Sequence, residues 1–195
     1  MEFRKEGSVY YSILSLIADG KNSSGEIDSI LGITTSAYLR NLEINYTLLK
    51  KMRPIFASER SRGIKYKLND NFLQFWFRFI YPNLDLVENH RSDLLLDIVN
   101  KGYSIYSGWI LERYFQQKLR EEERYTLVGN RWDSKGENEI DIVAVNRIER
   151  VATIAEVKIN RNKISIPILE EKAKKVISEL KRYHIEYKGY SLEDM

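Results

Sequence analysis

Two apolar segments in the C-terminal half of the chain carry charged residues at alternating positions, Glu139 and Asp141 in the first and Glu156 and Lys158 in the second. An antiparallel hairpin closed by residues 147–150 places Asp141 opposite Glu156 and Glu139 opposite Lys158. Side chains alternate between the faces of a strand, and opposed Cβ atoms lie roughly 5 Å apart. The hairpin therefore gathers all four charged groups on one otherwise apolar face, and we expect them at the rim of a cleft.

Carboxylates and a lysine gathered in this way suit phosphodiester hydrolysis. Two or three carboxylates bind a hard cation such as Mg²⁺ or Mn²⁺ through oxygen, and the cation keeps water in its other positions. A lysine beside them orients or deprotonates one such water. Asp141, Glu156 and Glu139 are the candidate metal ligands, and Lys158 is the candidate water-activating residue. An ion-pair network of the same residues without a metal is the alternative interpretation.

Residues 1–70 have the pattern of a winged helix. Apolar residues at helical spacing predict a first helix, and Ser23 with Glu26 three residues later predicts the start of a second. Thr34 or Thr35 is placed to cap a third. Two alternating segments then predict a hairpin around a turn that contains a glycine. The predicted elements are helices over 9–18, 23–32 and 34–51 and strands over 55–58 and 64–68.

Positive charge is concentrated in the same part of the sequence. Between residues 40 and 67, eight lysines and arginines stand against two acidic residues, as expected of a phosphate-binding surface. In a winged helix the third helix enters the major groove of DNA and the wing contacts the flanking backbone. Ordinary solvated side chains and a protein-binding surface are the alternatives. The candidate DNA-binding residues are Arg40, Asn41, Lys50, Arg60, Arg62 and Lys65.

An aromatic segment separates the two halves of the sequence. Phe72, Phe75, Trp76 and Phe79 recur at the spacing of one helical face, which favours a buried core or a domain interface. Stacking on nucleic-acid bases is the alternative role for such side chains. A further apolar helical stretch follows, and together they form a predicted helical connector over 71–100.

Residues 101–195 are expected to form the domain that holds the charged cluster. Pro167 begins an amphipathic helix that suits the surface of a sheet, and 184–188 have the pattern of a final strand. The lysines of this helix form either a DNA-guiding surface or a solvated face with i, i+4 pairs. The expected fold class is α/β (α+β), with an N-terminal winged helix-turn-helix followed by a mixed central sheet flanked by helices.

The pattern of Asp141 followed by Glu156 and Lys158 resembles the PD-(D/E)XK nuclease superfamily. The resemblance implies a restriction-endonuclease-like fold in which the Asp and the Glu hold the metal and the Lys helps to activate the attacking water. It also implies an auxiliary carboxylate from the preceding helix, for which Glu112 is the candidate. Ile140 stands where the superfamily's motif has a proline, and this difference removes no ligand.

Over nearly the whole chain, the order of these motifs is similar to the C-terminal region of archaeal AAA-type ATPases. The most specific element is the aromatic segment from Asp70 to Phe79. In that family the region follows a nucleotide-binding core and comprises a winged helix and a PD-(D/E)XK-like domain. No Gly-x-x-x-x-Gly-Lys-Ser/Thr motif occurs in this sequence, so ATP hydrolysis by these residues is not expected. The resemblance implies an ATPase domain, or a separate ATPase, as partner.

The amino-acid composition limits the kinds of metal site and the cellular location expected of the protein. The 195 residues include no cysteine and two histidines, which excludes disulfides and disfavours a zinc site. No apolar stretch reaches the roughly 20 residues that span a bilayer, and the N-terminus lacks the apolar segment of a signal peptide. We therefore expect a cytoplasmic protein without membrane contact.

Three functional classes remain open from the sequence. They are a Mg²⁺-dependent DNA endonuclease, a DNA-binding module with a catalytically silent nuclease fold, and a protein-interaction module that acts with an ATPase. A lack of DNA binding at low salt would favour the third class, because phosphate contacts strengthen as salt falls. A single metal cleft cuts one strand, so a homodimer suits cleavage of a duplex.

Overall fold

The computed structural model describes residues 2–58, 63–133, 138–176 and 178–195. Arg60 and Arg62, two of the predicted DNA-binding residues, lie outside the described residues. The chain divides into two units: 1–52 with 64–103, and 53–63 with 104–195. The predicted connector over 71–100 thus lies in the first unit, and the segment directly after Met52 lies in the second.

The first unit begins with three helices whose ends follow from local sequence. The Ser23 side chain accepts a hydrogen bond from the Glu26 backbone N–H at 3.4 Å, as expected at the start of the second helix. Gly32 ends that helix at φ 66°, a left-handed conformation that glycine adopts without steric cost. Thr35 donates from its hydroxyl and its N–H to the Asp28 carboxylate. The helices are α1 (Glu2–Ala18), α2 (Ser24–Leu31) and α3 (Ser36–Ile44).

A two-stranded antiparallel sheet follows the helices. The predictions that the third helix continues to residue 51 and that 55–58 form the first strand are wrong. Thr47 adopts a positive φ of 53°, which is incompatible with a continued right-handed helix. Leu49 then lies opposite Leu68, and both are buried. The strands are β1 (Leu49–Met52) and β2 (Lys65–Leu68).

The aromatic segment contributes to the core of the first unit in a register that differs from the prediction. Its helix continues into one turn of π-helix, in which the Tyr81 N–H bonds to the Trp76 carbonyl. Phe77 and Phe79 are buried, whereas Phe72 is 67% exposed. The prediction of a buried face that includes Phe72 is therefore wrong.

The helices after β2 lead from the first unit into the second. They are α4 (Asn71–Phe75), the π-helical turn (Trp76–Ile80), α5 (Leu84–Glu88) and α6 (Ser92–Glu121). α6 begins in the first unit and ends in the second, and Glu112 lies in its second half. In the described ranges, no helix combines the length and the apolar character needed to cross a membrane.

The second unit is built on a four-stranded sheet of order β3-β4-β5-β6. β3, β4 and β5 pair antiparallel in sequence order, and β6 joins β5 in parallel. A parallel neighbour requires a crossover connection, which contains the helix α7. The mixed sheet with helices confirms the predicted fold class at this level. The elements are β3 (Leu127–Trp132), β4 (Glu139–Asn146), β5 (Val151–Val157), α7 (Ile166–Val176) and β6 (His184–Tyr190).

Successive side chains of β4 and β5 point to opposite faces of the sheet, and they lie in two separate apolar layers. The layer against α7 contains Val143, Val145, Ala152, Ile154, Leu169 and Ala173. The layer against α6 contains Ile142, Ala144, Ala155, Val157, Leu111 and Phe115. By the same alternation, Asp141 and Glu156 belong to the face that α7 covers.

Candidate active site and basic surface

The β4–β5 hairpin has the register that the sequence predicted. Its paired residues run from Asn146 opposite Val151 to Ile142 opposite Ala155. At the next position along β4, the Asp141 Oδ2 atom accepts a hydrogen bond of 2.8 Å from the Val157 N–H of β5. The Asp141 carboxylate is therefore fixed across the open end of the hairpin.

Glu156 and Lys158 complete a compact charged group with Asp141, which we call the charged cluster. The Lys158 Nζ atom lies 3.2 Å from Glu156 Oε1 and 3.8 Å from Asp141 Oδ2. The carboxylate side chains are only 14% (Asp141) and 11% (Glu156) exposed, whereas Lys158 is 38% exposed. The cluster is thus largely buried and reaches solvent through the lysine.

The other two predicted carboxylates lie at the margin of the charged cluster. Glu139 is exposed at the start of β4, and Glu112 is half-buried on α6. Glu139 acts on Asp141 and Glu112 acts on Lys158 through their charges. Neither is among the carboxylates that pair directly with Lys158 at 3.8 Å or less. The structure therefore brings Asp141, Glu156 and Lys158 into contact and leaves Glu112 and Glu139 as longer-range partners.

A second lysine, Lys172 of α7, contacts the same site. Its Nζ atom lies 3.9 Å from Glu156 Oε1, and the Ser165 N–H before α7 donates to Glu156 Oε2 at 3.4 Å. The sequence pattern does not distinguish Lys172 from the other lysines of this helix. The signal for it is its position three residues after the buried Leu169, on the face that α7 turns toward the sheet.

Two buried amides hold the backbone of Asp141 from the other side. Gln116 Nε2 and Asn130 Nδ2 each donate to the Asp141 carbonyl at 3.0 Å, and these residues are only 2% and 7% exposed. Arg120 in turn donates to Gln116 Oε1 at 3.3 Å. Neither amide is among the residues that the sequence predicts for the site. The sequence gives one indication that Gln116 is buried, because this polar residue directly follows Phe115, a residue of the apolar core.

Electrostatics in the charged cluster favour protonated forms. Burial raises the pKa of Asp141, and the charges of Glu156 and Glu139 add to this effect, although the Val157 N–H and Lys158 oppose it. Burial lowers the pKa of Lys158, but the carboxylates of Asp141 and Glu156 outweigh it, so the pKa lies above its usual value. Both groups experience the negative potential of their carboxylate neighbours.

The charged cluster offers carboxylate oxygens to a divalent cation. Among the described residues, no group of three or more His, Cys, Asp or Glu side chains is arranged to hold a metal ion. Mg²⁺ is commonly held by one or two carboxylates and keeps several waters. Asp141 and Glu156, which both contact the Lys158 ammonium, fit such a hydrated ion, and carboxylate oxygen suits Mg²⁺ and Mn²⁺. Glu139, also predicted as a ligand, lies further out.

The first unit presents a separate basic surface on its two-stranded sheet. Lys50 lies directly opposite Lys67, and Met52 lies opposite Lys65. Because alternate residues share a face, Lys50, Lys65 and Lys67 lie on one side of the sheet, away from the buried Leu49. Like charges in directly opposed positions repel each other. We call these three residues the lysine face.

The two predicted DNA-binding residues of α3 differ in their surroundings. Arg40 is exposed. Asn41 is half-buried, its Nδ2 donates to the Tyr10 hydroxyl at 2.9 Å, and its Oδ1 accepts from Asn45 at 2.7 Å. Both ends of the Asn41 amide thus have partners within the first unit.

Comparisons with known proteins give a family but no activity. The model of the DUF234 family, described as archaeal and bacterial proteins of unknown function, matches residues 76–177. An uncharacterized protein of Methanocaldococcus jannaschii is 34% identical over 163 residues, which cover 79% of this chain and 36% of that protein. The chain thus spans little more than a third of the length of this relative. No solved structure matches the chain.

Proposed function

The chain belongs to the DUF234 family, and we propose that its second unit is a metal-dependent endodeoxyribonuclease of the PD-(D/E)XK type. The observation that carries the proposal is the contact of Lys158 with both Asp141 and Glu156 at the open end of the β4–β5 hairpin. The residues matched by the family model include these three positions. The proposed reaction is hydrolysis of a phosphodiester bond in DNA.

The order of elements supports this fold assignment. A helix precedes three antiparallel strands, and a second helix leads to a strand that joins the sheet in parallel. The two helices pack against opposite faces of the sheet. The charged cluster lies on two central neighbouring strands, where the resemblance to the nuclease superfamily expects the Asp and the Glu.

Each residue of the charged cluster has a distinct role in the proposed reaction. A bound Mg²⁺ or Mn²⁺ supplies Lewis acidity and lowers the pKa of a coordinated water. Asp141 and Glu156 would hold the ion, and the Val157 N–H keeps the Asp141 carboxylate in a fixed orientation. Lys158 extends from between the carboxylates toward solvent, where its ammonium group orients the attacking water and stabilises negative charge on the phosphate.

The first unit is proposed to bind the DNA backbone. Its three helices followed by a two-stranded sheet have the order of a winged helix, and the lysine face of that sheet supplies phosphate contacts. In this arrangement α3 carries Arg40 toward the major groove. Such contacts position the protein on DNA and do not read its sequence. A nucleotide-binding ATPase, in the same polypeptide or in trans, is the proposed partner, since the similar archaeal protein is much longer.

A second candidate function is DNA binding without catalysis. It is favoured by the contacts of Glu156 with two ammonium groups, at 3.2 and 3.9 Å, because these contacts satisfy its charge without a metal. On this alternative the charged cluster is an ion-pair network that stabilises the hairpin. The protein would then bind DNA independently of divalent cations, apart from their screening effect.

Cleavage of DNA distinguishes the two candidates. The purified chain is incubated with labelled single-stranded, duplex and branched DNA in Mg²⁺, Mn²⁺ or EDTA, beside Asp141→Asn. The nuclease proposal expects cleavage of at least one substrate that requires the cation and is lost in the variant. DNA binding without cleavage of any substrate, unchanged in Asp141→Asn, supports the non-catalytic alternative and overturns the nuclease proposal.

A further inference from the structure

We propose that Lys172 of α7 is a phosphate-binding residue of the active site. The inference rests on the proposed nuclease function and extends it to a residue outside the Asp141, Glu156 and Lys158 pattern. The ligand is a phosphodiester group of the bound DNA strand. The side chain of Lys172 reaches the charged cluster from the helix that covers it, and Lys158 reaches it from the end of β5.

The geometry places two ammonium groups at one carboxylate oxygen. Lys158 Nζ is 3.2 Å and Lys172 Nζ is 3.9 Å from Glu156 Oε1. Lys172 is 32% exposed, and Glu156 is 11% exposed. The two cations therefore meet at a nearly buried anion while their own side chains remain accessible to a ligand from solvent.

The position of Lys172 on α7 differs from that of an ordinary surface lysine. Leu169 and Ala173, on the same side of the helix, are 2% and 3% exposed and pack on the sheet. Lys172 lies beside this apolar stripe and is half-buried, while Lys174, two residues later, is exposed. A partly buried ammonium needs an anionic partner, and Glu156 supplies it.

The charges explain how Lys172 becomes available to a phosphate. The carboxylates of Asp141 and Glu156 balance the two lysines when no other ion is present. A divalent cation held by the same carboxylates would give these four side chains and the ion together a net charge of +2, which the more distant Glu139 and Glu112 would offset in part. Both ammonium groups then favour a new anion, and the phosphodiester backbone supplies adjacent negative charges. With Lys158 beside the scissile phosphate, Lys172 contacts a phosphate oxygen from the α7 side.

The test measures DNA affinity and its salt dependence for the full chain in Ca²⁺, by fluorescence anisotropy with a labelled duplex. The variants are Lys172→Met, which keeps most of the length of the side chain without its charge, and Lys172→Arg, which keeps the charge. Lys174→Met is the matched control on the same helix. Melting temperatures are measured for all of them to verify folding.

The expected result is specific to position 172. Lys172→Met weakens binding by about tenfold and lowers the slope of log affinity against log salt by about one phosphate contact. Lys172→Arg restores most of both values, and Lys174→Met matches the wild type. A purely structural role would lower the melting temperature without changing the salt slope.

The possible outcomes separate this inference from the proposed function. Equal affinity and slope in Lys172→Met and Lys174→Met overturn the inference, even if the wild type cleaves DNA. A lowered slope in Lys172→Met alone, with rescue by arginine, supports the phosphate contact even if no DNA is cleaved, in which case only the nuclease proposal fails. A wild-type chain that binds no DNA overturns both.

Discussion

Replacement of Asp141 with asparagine should stabilise the protein while it removes the proposed activity. The change takes away a charge and preserves the size of the side chain. An asparagine Oδ1 atom is able to accept the same hydrogen bond from the Val157 N–H, which measures 2.8 Å in the wild type. The substitution therefore isolates the free energy of a buried charge at this position.

Two opposed effects determine the magnitude. The asparagine loses its attraction to Lys158, whose Nζ is 3.8 Å away and whose side chain is 38% exposed, so this loss is at most about 1 kcal/mol. The variant gains stability because it no longer buries a charged carboxylate, and the Asp141 side chain is only 14% exposed in the wild type. The pKa of Asp141 is raised, mainly by burial, which means that the cost of burial exceeds the attraction. We expect a net gain of about 1 kcal/mol, or about 2–4 °C in Tm for a chain of this size.

The pH dependence gives the sign of the effect independently. A carboxyl group whose pKa is raised by folding stabilises the protein fully below its unfolded pKa of about 3.9, and this contribution is lost as the pH rises through the folded pKa. The wild type therefore carries the cost of the charged Asp141 once the pH has risen through the folded pKa, and none of it below about pH 4. The advantage of Asp141→Asn should be largest near neutral pH and should disappear in acid.

Thermal unfolding followed by circular dichroism at several pH values measures this difference. Asp97→Asn, at an exposed position of α6, is the matched control and should leave Tm unchanged. A lower Tm of Asp141→Asn at pH 7 would refute the reasoning, because it would show that the ion pair with Lys158 outweighs burial. An advantage of the same size in acid would refute it as well, since the asparagine would then act through packing and not through charge.

Three further changes test other parts of the structure. Lys50→Gln should weaken DNA binding several-fold and lower its salt slope by about one, with no loss in Tm because repulsion from the opposed Lys67 is relieved; titrations of DNA at several salt concentrations measure this. Gly189→Ala should destabilise the second unit by about 1–3 kcal/mol, because a Cβ would lie 2.5 Å from Ile164 Cγ2. Urea unfolding measures this cost, which should be smaller when Ile164 is also replaced with alanine. If the free-energy changes of the two substitutions simply add in the double variant, the contact is contradicted. Gln116→Leu should cost about 1–2 kcal/mol in the same assay, since it removes a buried hydrogen bond to the Asp141 carbonyl; a neutral effect would show that the other amide suffices.

The register of the β4–β5 hairpin could be predicted because two independent patterns agree. The apolar residues alternate with period two, and the turn between the segments is short, so a slip of one residue would turn Val143 and Ile154 out of the core. This constraint alone places Asp141 beside Glu156. The charged cluster is thus encoded locally, within two adjacent strands.

Elements of the first unit were harder to predict because short apolar segments suit more than one structure. Leu49 continues the helical spacing of α3, yet it is buried equally well in a strand opposite Leu68. The choice depends on the turn at Thr47, whose positive φ has no strong signal in the sequence. The π-helical turn at 76–80, in which Phe77 and Phe79 are buried, is likewise not indicated by local propensity.

The remaining parts of the site depend on contacts between distant segments. Gln116 and Asn130 meet at the Asp141 carbonyl from α6 and β3, and Lys172 reaches Glu156 from α7. Only the packing of both helices on the sheet brings these residues together. A sequence pattern shows at most that a polar residue stands next to an apolar stripe, and it does not identify the partner.

The rate of DNA cleavage by the wild type and by Glu156→Gln, at saturating Mn²⁺ and in EDTA, tests the metal-dependent nuclease site most directly. Glutamine keeps the shape of a residue that contacts Lys158 at 3.2 Å but removes the charge that would hold the ion. We predict cleavage by the wild type only with Mn²⁺, and a loss of at least about 100-fold in the variant, the range for losing several kcal/mol of transition-state stabilisation. Cleavage that persists in EDTA, or equal rates for the two proteins, would contradict the assignment of this cluster as the active site.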